Sequence, residues 1–379
     1  MRTAAIICEY NPFHNGHKFH IQETKRQLEA DAVIAIMSGN FVQRGDAAIF
    51  DKHLRAKAAV LGGADLVLEL PAVYSSASAE FFAKGAVKIL DKLGIVDFLS
   101  FGSECADKES ILKIAKLLEN EPLDFSALVK NYLKEGRSYP TARTMAVKSF
   151  LGESYSEILL SPNNILGIEY VKALISLKSS IKPFAVLRKG AAHDSLHFTQ
   201  GIASASFIRD RILNGEDFSA FVPSEIKELF KDAPIHSLKA IEKAILLELI
   251  KTPADDLKNV PDISEGLENR IKTAVMTAST LDDLLEKVKT KRYTHSRIRH
   301  VVLSAFLGVY DADRKIEPAY IKVLDYNGKG QKLIAAAKKT ATLPIVKNTS
   351  QVNKLKNPLI KELWEKERTF DKIYEMTEI

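Results

Sequence analysis

Short apolar runs alternate with amphipathic stretches over the first half of the chain. Each apolar run predicts a buried strand, and the runs lie at residues 3–8, 32–37, 65–70, 98–101 and 182–187. The amphipathic stretches between them predict helices, at residues 18–28, 52–61, 77–93 and 165–177 among others. This alternation predicts an α/β fold, a Rossmann-like parallel sheet with helices on both faces. Ligands of such a sheet bind beyond the carboxyl ends of its strands.

Beyond about residue 215 the pattern becomes mainly helical. Helices are predicted at residues 237–251, 267–278, 281–289 and 296–307. A tail follows, with strands predicted at residues 319–324 and 343–346 around a helix at residues 331–339. We therefore predict a Rossmann-like α/β domain at residues 1–215 and, at residues 216–379, a mainly α-helical region with a small α/β tail.

Composition limits the protein class without naming a function. Of the 379 residues, 46% are hydrophobic and 27% are charged, as is usual for a globular protein with a sizeable core. The two cysteines, Cys8 and Cys105, are too few for a disulfide framework, which favours a reducing compartment. No apolar run approaches the about 20 residues that span a bilayer. We therefore expect a cytoplasmic protein that does not contact membranes.

The loop after the first predicted strand carries the most specific chemistry. Residues 8–17 read CEYNPFHNGH and lead into the first predicted helix. A helix start presents unpaired backbone N–H groups and a partial positive charge, and two histidines three residues apart can donate hydrogen bonds to phosphate oxygens there. Gly16 lets a base or a phosphate approach the backbone. The pattern predicts that residues 1–215 form a nucleotide-binding domain, with His14 and His17 as candidate catalytic residues that stabilise charge on phosphate oxygens.

The same residues resemble a known group of enzymes. His14-Asn15-Gly16-His17 has the His-x-Gly-His pattern (the HIGH motif) of the nucleotidylyltransferase superfamily, which includes class I aminoacyl-tRNA synthetases and pantetheine-phosphate adenylyltransferases. The longer strings EYNPFHNGH at residues 9–17, MSGNFVQRG at residues 37–45 and SPNNILGIEY at residues 161–170 resemble bacterial tRNA(Met) cytidine acetate ligase. The resemblance implies an enzyme that activates acetate with ATP to acetyl-adenylate and then acetylates N4 of the wobble cytidine of elongator tRNA(Met).

The resemblance also implies where ATP binds. The contacts would come from the first strand end, the loop and helix start, the ends of the fourth and fifth strands, and an asparagine pair. A second superfamily motif, Ile-Ser-Ser-Thr-x-Ile-Arg, is represented at residues 203–209 by ASASFIR, in which the hydroxyl at Ser206 and the charge at Arg209 survive and three positions differ. The implied ATP-binding residues are Ile7, Cys8, Glu9, Tyr10, Asn11, Pro12, Phe13, His14, Asn15, Gly16, His17, Lys18, Phe19, His20, Gly102, Asn163, Asn164, Arg188, Ser206 and Arg209.

Some of these residues admit plainer interpretations. Cys8 with His14, His17 and His20 could form a zinc site, but Cys8 lies inside an apolar strand and no second ligand pair follows at zinc spacing. We therefore predict no metal ligands. Mg²⁺ is expected to accompany the triphosphate, although no carboxylate cluster identifies its ligands.

Four other features stay open at this stage. Asn163 and Asn164 could merely cap a helix start, and Arg188 could be an ordinary surface ion pair. The adjacent residues at positions 193 and 194, a histidine and an aspartate, are better explained as loop residues than as an acid–base pair. The loop that contains Arg44 and Gly45 follows the second strand, and a substrate contact there is undecided.

Two basic stretches lie in the second half. Residues 287–299 hold six lysines or arginines and no acid, with Tyr293 among them, and residues 326–361 hold eight lysines and no acid. Such stretches bind phosphate backbones, and an interleaved aromatic ring can stack on an unpaired base. A solvated helical face is the alternative. The predicted tRNA-binding residues are Lys289, Lys291, Arg292, Arg297 and Arg299.

Two other functions share parts of this pattern. A small-molecule adenylyltransferase would have the ATP motif but no use for a basic helical second half. A non-catalytic RNA-binding protein with a nucleotide fold would retain the basic stretches without chemistry. Neither a general base nor the oligomeric state can be assigned from the residues.

Overall fold

A central sheet organises the chain, and the computed structural model describes residues 1–188, 201–264 and 266–379 of it. The strands of the sheet lie in the order β7-β6-β1-β2-β5-β8-β9, and β3 pairs with β4 in a separate small hairpin. The strands are β1 (Thr3–Cys8), β2 (Ala32–Ser38), β3 (Phe41–Val42), β4 (Asp46–Ala47), β5 (Leu66–Leu70), β6 (Phe98–Ser103), β7 (Lys182–Leu187), β8 (Ile321–Tyr326) and β9 (Ile345–Val346).

The five strands predicted from the first half of the sequence are confirmed. They pair in parallel, with β1 between β2 and β6, because helical crossovers return the chain to the same end of the sheet each time. Every residue of β2 is buried, as its unbroken apolar run predicts for a strand covered on both faces. Residues alternate between the faces, so that Ile6 and Ile7 belong to different apolar clusters.

Helices of the first segment, residues 1–215, cover both faces of the sheet. In chain order they are α1 (Asn15–Leu28), α2 (Lys52–Leu61), α3 (Ala72–Ser75), α4 (Ala79–Leu93), α5 (Lys108–Glu119), α6 (Leu123–Lys134), α7 (Tyr139–Leu151), α8 (Glu153–Ile158), α9 (Pro162–Ser176) and α10 (Ala205–Leu213). The carboxyl ends of β1, β2 and β6 therefore open at one edge, where the predicted ligand loops follow.

The second segment begins as a helical cluster and ends on the sheet. Its helices are α11 (Lys227–Lys231), α12 (Glu242–Lys251), α13 (Ala254–Leu257), α14 (Leu267–Val275), α15 (Leu281–Val288), α16 (His295–Leu307), α17 (Asp311–Arg314), α18 (Gly328–Thr340), α19 (Thr349–Asn353) and α20 (Pro358–Glu375). The predicted tail strand is confirmed as β8, but it runs antiparallel to β5, so the sheet is mostly rather than wholly parallel. Along the described residues, no helix has the length and apolarity to cross a bilayer.

A buried group of charges ties the tail to the sheet. The Lys52 ammonium lies 2.7 Å from Oε1 of Glu69 on β5 and 2.5 Å from Oδ1 of Asp371 on α20. Lys322 on β8 reaches the other oxygen of Glu69 at 2.5 Å. Burial alone would raise the pKa of Glu69, but the two ammonium groups lower it to about 2. The division at residue 215 stays a prediction, and the tail beyond it packs with the first segment.

Candidate active site

The predicted ATP loop occupies the carboxyl end of β1. Ile7 and Cys8 end the strand, residues 9–14 form the loop, and α1 contains the next six predicted residues, which are Asn15, Gly16, His17, Lys18, Phe19 and His20. The loop is held from inside by aromatic rings, because Tyr10 and Phe13 are buried and pack edge to face with centroids 4.8 Å apart. The Asn11–Pro12 peptide bond is cis. The loop is thus anchored in the apolar core through these two rings.

His14 and His17 cap the helix reciprocally. Nδ1 of His14 accepts the N–H of Gly16 at 3.0 Å, and Nδ1 of His17 accepts the N–H of His14 at 3.3 Å. The two rings stack with centroids 3.6 Å apart. Burial, with the nearby charges of Arg188 and Arg209, lowers the pKa of His14 to about 3. Burial and then His14 lower the pKa of His17.

The histidine pair therefore presents two neutral donors. A neutral imidazole carries one proton, and an Nδ1 that accepts a hydrogen bond leaves that proton on Nε2. Both Nε2–H groups are then available beside the first turn of α1. A methyl group at Gly16 would lie 2.9 Å from Cε1 of His14, so the glycine is required for the ring position as well as for access to the backbone.

Other residues of α1 anchor it to neighbouring elements. Asn15 donates to the carbonyl oxygens of Gly201 and Ala220 at 2.9 and 3.2 Å. Nε2 of His20 lies 3.1 Å from the Ser100 hydroxyl of β6, and burial lowers the pKa of His20 to about 4. Lys18 pairs with Glu225. These contacts indicate positioning roles for Asn15 and His20.

The residues predicted at the ends of β6 and β7 come together. Asn163 donates to Oε1 of Glu104 at 2.5 Å and accepts from Nη1 of Arg188 at 3.3 Å. A methyl group at Gly102 would lie 3.2 Å from Cγ of Arg188. Oδ1 of the buried Asn164 accepts from the N–H of Glu104 at 3.0 Å. The asparagines thus order the loop after β6, and neither caps α9.

The second motif adjoins the first loop. Ser204 caps α10, and the Ser206 hydroxyl accepts from Nη2 of Arg209 at 3.2 Å. Nη1 of Arg209 donates to the Asn11 carbonyl at 2.8 Å, which joins this helix start to the β1 loop. The structure therefore brings His14, Arg188 and Arg209 close enough for both arginines to affect the histidine.

Sequence reasoning missed a buried arginine behind the site. Arg55 on α2 is fully buried and donates to the carbonyl oxygens of Glu9 at 2.5 Å and Ser38 at 3.2 Å, and also to that of Gly39. It thereby fixes the loops after β1 and β2 relative to each other. The signal in the sequence was a charged residue beside Ala56 and Ala59 on the buried face of α2.

The zinc alternative gains no support. Over the described ranges, no group of three or more histidine, cysteine, aspartate or glutamate side chains is placed to hold a metal ion. Sγ of Cys8 lies 3.6 Å from the Ile36 carbonyl, and burial raises the pKa of its thiol. The histidine and aspartate at positions 193 and 194 lie outside the described residues.

The residues of the basic stretch differ in exposure. Lys289, Lys291 and Arg292 are exposed between α15 and α16. Arg297 is half-buried, and it donates to the Asp262 carbonyl at 2.9 Å and the Ser264 hydroxyl at 2.7 Å. Tyr293 is 7% exposed in the helical core, so the prediction that it can stack on a base is wrong.

A mostly parallel sheet, a histidine-capped helix at the end of its first strand and two arginines beside that helix define a nucleotidyltransferase. A family model described as HIGH Nucleotidyl Transferase matches residues 1–378. The tRNA(Met) cytidine acetate ligase of Thermoanaerobacter sp. is 43% identical over 93% of this chain and 90% of its own length, and that of Acetivibrio thermocellus is 39% identical over 99% and 95%. This chain belongs to the HIGH nucleotidyltransferase family and, within it, to the tRNA(Met) cytidine acetate ligases.

Solved structures agree with the sequence relatives. The crystal structure of Thermotoga maritima TmcAL bound with alpha-thio ATP has a TM-score of 0.91 and 32% identity, and the match covers 100% of this chain and 95% of that one. The apo form of the same protein also has a TM-score of 0.91 with 32% identity, over 98% and 92% of the two chains. The predicted family and fold class are thereby confirmed.

Proposed function

We propose that this protein is an ATP-dependent ligase that activates acetate to acetyl-adenylate and acetylates N4 of the wobble cytidine of elongator tRNA(Met). The neutral pair His14 and His17 at the start of α1 carries the proposal, with Arg188 and Arg209 beside it. The names of the relatives support the substrate assignment. The structure bound with alpha-thio ATP supports the nucleotide assignment.

In the first step an acetate oxygen attacks the α-phosphorus of ATP. A new P–O bond forms, the bond to the departing diphosphate breaks, and negative charge grows on the phosphoryl oxygens. The Nε2–H groups of His14 and His17 donate to these oxygens, and the N-terminus of α1 adds a partial positive charge. Because both pKa values are lowered, the donors stay neutral across physiological pH. Mg²⁺ accompanies the triphosphate in this proposal.

In the second step the exocyclic amine of cytidine attacks the acetyl carbonyl carbon. A C–N bond forms, the C–O bond of the mixed anhydride breaks, AMP leaves, and the amine releases a proton. AMP is a good leaving group, and we assign no general base. Lys289, Lys291 and Arg292 are the proposed tRNA phosphate contacts, because their side chains are exposed. Positioning roles fit better for Arg297, which donates to the Asp262 carbonyl, and for Arg299, which lies 4.0 Å from Asp46 of β4.

ATP–diphosphate exchange tests the proposal. Acetate alone should support exchange without RNA, because the adenylate forms before the amine attacks. Propionate should work less well, since a poorly accommodated methylene costs about 1–3 kcal/mol in a fitted pocket. Exchange driven by a phosphate ester and not by acetate would favour a small-molecule adenylyltransferase. ATP and tRNA binding without any exchange would favour a non-catalytic RNA-binding protein. Repeating the acetate assay over a range of MgCl₂ concentrations tests the role of Mg²⁺.

A further inference from the structure

A small hairpin joins the helical region to the ATP site. This bridging hairpin comprises residues 41–47, with β3 and β4 paired through Phe41 and Ala47 and through Val42 and Asp46. Its apolar residues belong to the same buried cluster as helices α12 to α16. The hairpin follows β2 directly, at the edge of the sheet where the ATP loop lies. It therefore contacts both parts of the protein.

One side of the bridging hairpin is fixed on α16. Nε2–H of His300 donates to the Gln43 carbonyl at 2.6 Å, and Nη1 of Arg299 lies 4.0 Å from Oδ2 of Asp46. Gly45 has a φ of +73°, and a methyl group there would lie 2.9 Å from Cβ of Arg299. The turn fits against the helix only because residue 45 is glycine.

The other side of the turn points Arg44 at the second motif. Nη1 of Arg44 donates to the Ser206 hydroxyl at 3.0 Å, and the same hydroxyl accepts from Arg209 at 3.2 Å. Nε of Arg44 lies 3.8 Å from Oε2 of Glu9. Two guanidinium groups thus share one hydroxyl at the N-terminus of α10. Burial, and then the charge of Arg44, lower the pKa of Arg209 to about 10.

Two like charges held together in this way favour a multivalent anion between them. The anion must also lie near the histidine pair, because Arg209 bonds to the Asn11 carbonyl and its charge affects His14. The diphosphate end of ATP meets both conditions, since it is joined directly to the α-phosphate. Acetate, with one charge, needs no such pair.

We propose that Arg44 is a further diphosphate-binding residue, which acts with Arg209 and Ser206 and is positioned by the packing of the bridging hairpin on α16. The inference rests on the proposed function for the identity of the anion. During adenylate formation the bond between the α-phosphorus and the bridging oxygen breaks, and Arg44 receives the growing charge on the departing diphosphate. Its planar group can hold two phosphate oxygens at once.

Calorimetric binding of inorganic diphosphate tests the proposal without turnover. Arg44→Ala should weaken binding about 10- to 100-fold, the scale for losing one charged hydrogen-bonding partner, and should raise the KM for diphosphate in exchange by a similar factor. Arg44→Lys should recover part of the loss, because it keeps the charge but not the fork. Gly45→Ala removes no charge, yet it should also weaken diphosphate binding because it displaces the turn. AMP, which lacks the diphosphate, should bind each variant as it binds wild type.

Arg211→Ala is the matched control. This arginine lies on the same helix as Arg209 but pairs with Glu216 at 3.0 Å, and its loss should leave diphosphate binding unchanged. Wild-type affinity of the Arg44→Ala variant for diphosphate would overturn the proposal. So would an equal loss of AMP and diphosphate binding, which would mean a general collapse of the site. A wild-type protein that binds diphosphate but shows no acetate-driven exchange would count against the proposed function, while the effect of Arg44 would still be measured.

Discussion

Replacing His14 separates its structural role from its chemical role. The ring caps α1 through Nδ1 and, in the proposed mechanism, stabilises charge through Nε2–H. His14→Ala removes both and should lower the free energy of unfolding by about 0.5–2 kcal/mol, the usual value of an N-cap. His14→Asn keeps a side-chain acceptor for the N–H of Gly16, so it should lose little stability. Both variants lack the Nε2–H donor and should slow acetate-driven exchange by about 10²–10³-fold, or about 2.7–4 kcal/mol.

The assay pairs urea denaturation with ATP–diphosphate exchange on the same preparations. The informative protein is the asparagine variant, because it is expected to be stable and slow. An asparagine variant with wild-type stability and an exchange rate within about threefold of wild type would refute the catalytic role. An asparagine variant as unstable as the alanine variant would instead refute the capping argument.

Three further predictions concern pH, charge and RNA. Burial lowers the pKa of His14 to about 3 and of His20 to about 4, so the unfolded chain binds protons first as the pH falls below about 6.5. The free energy of unfolding, measured by urea denaturation, should therefore fall between pH 6.5 and pH 4.5. In His14→Asn or His20→Gln this fall should be smaller than in wild type, by up to about 2 kcal/mol. Lys52→Met leaves Asp371 without its ion-pair partner and Glu69 with Lys322 alone, and it should cost about 3–5 kcal/mol by the same method. Replacing Lys291 and Arg292 with alanine should weaken tRNA binding and reduce the log–log salt slope by at most about 0.9 per lost contact, with exchange unchanged. If the salt slope of this variant in filter-binding titrations equals that of wild type, the basic stretch is a solvated surface that does not contact tRNA.

The strands of the first half could be predicted because the apolar pattern that indicates their burial lies within each strand's own residues. The run at residues 32–37 is apolar at every position, and only a strand covered on both faces suits it. The direction of β8 could not be predicted in this way. Its partner β5 lies far away in the sequence, and no turn links the two strands. Helix α20 was missed because its apolar residues are spaced among many charges. One of these charges, Asp371, forms an ion pair with Lys52 on α2, which is far away in the sequence.

The position of His14 and His17 at the start of α1 could be predicted because strand, motif and helix start are adjacent in the sequence. The contacts that position them could not. Arg55 on α2 donates to carbonyl groups of the loops after β1 and β2, and Arg44 in the bridging hairpin donates to Ser206 on α10. Tyr293 illustrates the opposite error. An aromatic ring among basic residues matches the composition of an RNA-binding surface, but this ring packs in the core. Composition does not report which way a side chain points.

The position of β8 beside β5 has a consequence for synthesis of the chain. The buried strand Leu66–Leu70 has β2 on one edge, and its other edge pairs with β8, at residues 321–326. While the ribosome makes the intervening chain, that edge carries unpaired N–H and C=O groups, which are open to strands of other nascent chains. The first segment cannot complete its sheet before the tail emerges. We therefore expect it to need protection by chaperones for most of translation, and we expect a chain stopped after residue 215 to aggregate, however complete its ATP motif.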